Sequence, residues 1–150
     1  MQTSGRRLAV LFLDSENNLR LAIRRLLAAC RPDIDLVFVS DGNQAIDVIR
    51  DLHTGHQHFD VFVTDYAHPP GPDGIELIRW IRALPDDLTM RGGLRIKDLP
   101  IVVQSGNTSA ASAEDVASDV YLLRKPFRLE DLTATIDLAV RQFRERILLH

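Results

Sequence analysis

Short, unbroken apolar runs alternate along the chain with stretches whose apolar residues recur at three- and four-residue steps. The runs are LAVLFL (8–13), IDLVFVS (34–40), DVFVT (60–64), PIVVQ (100–104) and VYLLR (120–124). Rich in β-branched and aromatic residues, they read as strands covered on both faces. Between them, 18–30 places Leu19, Ile23, Leu26 and Leu27 on one helical face. The stretch 42–54 does the same with Ala45, Ile46, Ile49 and Leu52, and 74–84 with Ile75, Leu77, Ile78, Ile81 and Leu84. SAEDVAS (112–118) predicts a short fourth helix, and the last runs from Leu129 to Leu149 through Leu132, Ile136, Ala139, Val140, Phe143 and Ile147. Five strand–helix units in series predict a doubly wound α/β domain, a central five-stranded parallel sheet with helices on both faces.

With 150 residues, 45% of them apolar, the chain has material for one domain with a sizeable core. The polar segment 1–7 is expected to be a disordered tail, 8–143 the domain, and 144–150 an extension of the last helix. A formal charge of −3 gives no reason to expect nucleic acid or a membrane surface as a partner. The apolar run before Asp14 is too short for a signal-peptide core or a membrane span. Cys30 is the single cysteine, which rules out an internal disulfide and fits a reducing, cytoplasmic setting.

In doubly wound sheets ligands bind beyond the carboxyl ends of the strands. Those ends carry Asp14, Ser15 and Glu16 after the first strand and Asp65 on the third. Ser105 and Gly106 follow on the fourth, and Lys125, Pro126 and Phe127 after the fifth. Acids, a hydroxyl and an ammonium therefore converge on one rim. After Asp65 the chain breaks into YAHPPGPDG, a stiff loop that gives way to a helix at Gly74.

This constellation resembles the receiver domains of two-component response regulators, over roughly Leu8 to Phe143. The anchors are LFLDSE, Asp65 with Pro69 and the Asp73-Gly74 helix start, Ser105-Gly106 and the KPF of 125–127. The resemblance implies a flavodoxin-like fold and a signalling role. Asp65 would accept a phosphoryl group from a sensor histidine kinase or phosphotransfer protein, with Mg²⁺ as cofactor. Asp14, Asp65 and the Ala67 backbone carbonyl would hold the metal, with Ser15 a weak or water-mediated contributor. Lys125 would pair with the acceptor and then with the phosphoryl group. Ser105 would swing toward that group and report it to the face formed by the fourth helix, the fifth strand and the last helix. Such a domain is modified rather than turning over a substrate, so it is not expected to be an enzyme. Its output would be a protein contact or a piece of the protein beyond this sequence.

The chain departs from that family at four places. Ser15 stands where the family has a second acid that binds the metal directly, which weakens a site built on carboxylates. The spacing from Asp65 to Gly74 is one residue longer than usual. The separation of Ser105 from Lys125 is shorter than usual, and the aromatic switch position is Leu122, with Tyr121 on the opposite side of the strand. PDDLTMRGGLRIKDL (85–99) is a longer link than the family's, expected as a mobile surface excursion or, alternatively, a partner-docking loop.

Two rivals follow. A phosphorylation-independent pseudo-receiver module would keep the fold and lose the chemistry, as Ser15 suggests. A haloacid-dehalogenase-like phosphatase would use Asp14 as nucleophile with Glu16, Ser105 and Lys125. Elsewhere HTGHQH (53–58) reads as a polar loop rather than a metal cluster, and His68 as solvent-facing. The overhang ERILLH reads as a frayed end or linker, or else as a homodimer contact through the last helices.

Overall fold

The computed structural model describes residues 7–14, 16–66, 71–105 and 120–149. Its strands are β1 (Leu8–Leu13), β2 (Ile34–Val39), β3 (Val61–Asp65), β4 (Ile101–Ser105) and β5 (Tyr121–Arg124). The helices are α1 (Asn17–Cys30), α2 (Gly42–Asp51), α3 (Gly74–Arg82) and α4 (Leu129–Leu149). The helix expected at 112–118 lies outside the described residues, as does most of the tail. All strand pairs are parallel, in the order β2-β1-β3-β4-β5. This is the doubly wound flavodoxin-like arrangement.

Strand alternation divides the apolar side chains into two cores. Leu11, Leu13, Phe62, Ile101 and Val103 pack against α2 and α3. Val10, Phe12, Val61, Val63, Val102 and Leu123 pack against α1 and α4. In α1 the buried stripe is centred on Ile23 and Leu27, while Leu26 falls at its edge and is half exposed. That corrects the four-leucine/isoleucine face read from spacing. Asp41 caps α2 by accepting from the Gln44 N–H at 2.9 Å. Asp73 and Glu76 form a reciprocal capping box at the start of α3.

The 85–99 segment turns inward instead of forming a surface excursion. Met90, Ile96 and Leu99 are buried in the core under α2 and α3. An antiparallel bridge joins Thr89 to Arg95 across a turn at Gly92 and Gly93. A 3₁₀ turn follows at Ile96–Asp98. The Arg82 guanidinium donates to the Lys97 and Leu99 carbonyls, both at 2.8 Å, and so fastens the segment to α3. Two ion-pair sets hold the far side of the molecule: Arg7 on Asp35, and Arg31 bridging Asp33 to Asp137 of α4.

Candidate functional site

Register fixes the rim. Leu13 of β1 lies opposite Thr64 of β3, so Asp14 and Asp65 follow side by side one step further on. Asp65 in turn lies opposite Gln104, and Ser105 opposite Arg124, which brings Lys125 next in line. Alternation puts Asp14, Asp65, Gln104 and Lys125 on the sheet face whose core residues are Phe12, Val63, Val102 and Leu123. Neighbouring strands are ~4.8 Å apart, so from β5 to β3 is a gap of about 10 Å. The long lysine arm closes it: Lys125 Nζ donates to Asp65 Oδ1 at 2.9 Å. The Lys125–Pro126 peptide bond is cis.

Burial decides the electrostatics. Asp14 is fully buried and Asp65 is 7% exposed. Asp14 Oδ1 accepts the Glu16 N–H at 2.8 Å, which turns the chain into α1. Asp14 Oδ2 is buried with no hydrogen-bond partner among the described residues. A carboxylate oxygen so placed is costly unless a cation or donor meets it. For Lys125, desolvation pulls the ammonium toward neutrality. The hydrogen bond to Asp65 and the charges of Asp65, Asp14 and Glu16 outweigh it and hold its pKa above 10.5. Among the described residues, the charges that act on Lys125 are those of three acids. Such a rim favours a further cation.

The backbone of Asp65 and Tyr66 is seated against a glycine. A Cβ on Gly74 would stand 2.5 Å from the Asp65 carbonyl oxygen, and the Gly74 N–H donates to the Tyr66 carbonyl at 2.8 Å. The start of α3 therefore rests directly on the backbone of the acidic strand end. Gly42 plays a matching part, since a Cβ there would lie 2.3 Å from the Pro72 carbonyl oxygen.

The structure thus brings Asp14, Asp65 and Lys125 together. Ser15, Ala67 and His68 lie outside the described residues, and Ser105 is placed by its backbone at the end of β4. Tyr121 points toward α4, where its hydroxyl donates to Gln142 Oε1, while Leu122 on the other face is 40% exposed. Sequence reasoning passed over Gln104. It is 1% exposed, and neither amide atom has a hydrogen-bond partner among the described residues. The signal was present as a glutamine inside the apolar run PIVVQ. Among the described residues no group of three His, Cys, Asp or Glu forms a metal cluster. The histidines of HTGHQH diverge, with His53 on the Arg50 carbonyl and His58 between Asp60 and Arg91.

No protein-family model matches the chain, and no curated protein matches it by sequence. Solved structures do match by fold. A response regulator receiver protein from Sinorhizobium medicae WSM419 superposes with a TM-score of 0.71 at 24% identity, covering 91% of this chain and 97% of that one. A response regulator receiver domain protein from Clostridium thermocellum gives 0.71 at 18% identity, covering 94% and 98%. The fold is that of a receiver domain. The signal receiver domain of a signal transduction histidine kinase from Syntrophus aciditrophicus is similar as well, with a TM-score of 0.68 at 16% identity and coverage of 89% and 90%. In this receiver fold the Asp65–Lys125 pair sits at the carboxyl-end rim of the sheet. Among the described residues no helix is long and apolar enough to cross a membrane.

Proposed function

We propose that this chain is a phosphoacceptor receiver domain of a two-component system, taking a phosphoryl group onto Asp65. The observation that carries the reading is the 2.9 Å contact of Lys125 Nζ with Asp65 Oδ1 on a rim crowded with acids. In the transfer, an Asp65 carboxylate oxygen attacks phosphorus as the bond to the donor's imidazole nitrogen breaks. Lys125 exchanges its contact with the carboxylate for one with a phosphoryl oxygen, so charge develops against a group already in place. The donor would be a sensor histidine kinase or phosphotransfer protein.

Asp14 and Asp65 are the residues that would hold Mg²⁺, with the Ala67 carbonyl. The unpartnered, buried Asp14 Oδ2 is the observation that suits a cation there. Bound Mg²⁺ supplies positive charge that offsets repulsion between an anionic acceptor and an anionic phosphoryl group. Ser15 leaves that cation short of one carboxylate, and Ser15→Asp should tighten Mg²⁺ binding measured by calorimetry. An unchanged affinity would contradict the ligand assignment. Ser105 would carry the signal toward the surface formed around β5 and α4.

Incubation with acetyl phosphate and Mg²⁺ tests the reading by intact-mass measurement. The expected outcome is a single phosphoryl adduct that Asp65→Asn abolishes. An unmodified protein at every metal concentration would instead favour the pseudo-receiver module that Ser15 suggests. Turnover of a phosphate ester, lost in Asp14→Ala and kept in Asp65→Ala, would favour the phosphatase.

A further inference from the structure

Three sequence features that the phosphoryl site leaves unused meet at the other end of the sheet. They are the HTGHQH loop, the 85–99 segment and the overhang of α4. Together they wall a cavity of about 480 Å³ just before β3, at the strand end opposite the one that carries Asp65. That volume lies in the range of small-molecule sites. Its apolar lining includes Phe59, Leu94, Val140 and Ile147. Ile147 remains 44% exposed and the neighbouring Leu148 85% exposed, so apolar surface at the mouth is left uncovered.

The charges around this lining have one sign in excess. Asp60 is its single acid among the described residues, and that carboxylate is engaged: Oδ2 accepts the Ala9 N–H at 2.8 Å and stands 3.5 Å from His58 Nε2. Arg91 also lines the cavity and approaches His58 Nδ1 at 3.3 Å. Arg144 lines it from α4 and forms no ion pair among the described residues. Guanidinium groups stay charged at any ordinary pH and bind planar carboxylates through two N–H groups at once. We infer that the cavity binds a small amphipathic anion, a monocarboxylate with an apolar chain or ring. The chain lies against Phe59, Leu94, Val140 and Ile147, and the carboxylate meets Arg91 and Arg144. The site stands apart from Asp65, and its test needs no phosphorylation.

Octanoate is the probe, titrated into the full chain while the amide NMR signals of Gly92, Leu94 and Ile147 are followed. The expected result is saturable one-to-one binding, with octanol far weaker and octylammonium not binding. Arg144→Glu and Arg91→Glu should each weaken octanoate by about tenfold or more, the loss expected for a charge-assisted hydrogen bond. Arg144→Gln, which keeps a good helix former at that position, should weaken it in the same direction if a charge reversal disturbs folding. No saturable shift at these amides would overturn the inference. So would equal binding of octanol or octylammonium, or an affinity unmoved by all three substitutions.

Discussion

Lys125→Met is the perturbation that most directly weighs the charge balance of the rim. It removes the ammonium and keeps an unbranched apolar stem. At 2.9 Å the gross attraction to Asp65 is about 6 kcal/mol at an effective dielectric of about 20. Desolvation of both partners cancels much of that. The Lys125 side chain is 26% exposed and that of Asp65 10%, which places the pair between surface ion pairs and fully buried ones. The net coupling should therefore be about 1–3 kcal/mol. Urea unfolding of the wild type, Lys125→Met, Asp65→Asn and the double variant yields it as a double-mutant cycle. The pH dependence carries a definite sign. Because the folded-state pKa of Lys125 is raised above 10.5, its contribution is fully present below that value and fades only as pH rises through the raised one. Coupling should accordingly be flat between about pH 7 and 9. A coupling near zero, or one already fading across that interval, would refute the reasoning.

Two further outcomes follow from the same structure. Gly74→Ala should destabilise the fold by about 1–3 kcal/mol, seen as a lower melting temperature, because its Cβ would stand 2.5 Å from the Asp65 carbonyl oxygen; an unchanged melting temperature would mean that the helix start does not rest on that backbone. Asp33, held below its ordinary 3.8 by the Arg31 guanidinium, contributes stability above that value and loses it as pH falls through its lowered one. Its carboxyl resonance in an NMR titration should move back toward 3.8 in Arg31→Ala, and with the side chain 41% exposed the stability involved should stay below about 1 kcal/mol.

Elements whose signal is local were legible from the residues. The five strands fall within a residue of their apolar runs, and α4 matches the predicted span from Leu129 to Leu149. The helix read over 42–54 is α-helical only to Asp51 and then tightens into a 3₁₀ turn that Gly55 ends. Asp65 and Lys125 could be paired in advance because parallel topology forces the strand ends onto one rim. What escaped depends on contacts between distant segments. Met90 and Ile96 look like scattered apolar residues in a polar link until Arg82 and the core under α2 and α3 draw them in. The burial of Asp14 and Gln104 depends on neighbouring strands and not on local periodicity. The cavity beside Phe59 needs three segments at once, and no single stretch announces it.

The central claim is that the acid closing β3 is a phosphoryl acceptor. Borohydride trapping after acetyl phosphate and Mg²⁺ treatment, followed by peptide mapping, tests it at the residue itself. The account predicts a reduced, trapped residue at position 65 that disappears when Mg²⁺ is chelated and is strongly diminished in Lys125→Met. Trapping at any other carboxylate, or at none under saturating metal, would contradict it.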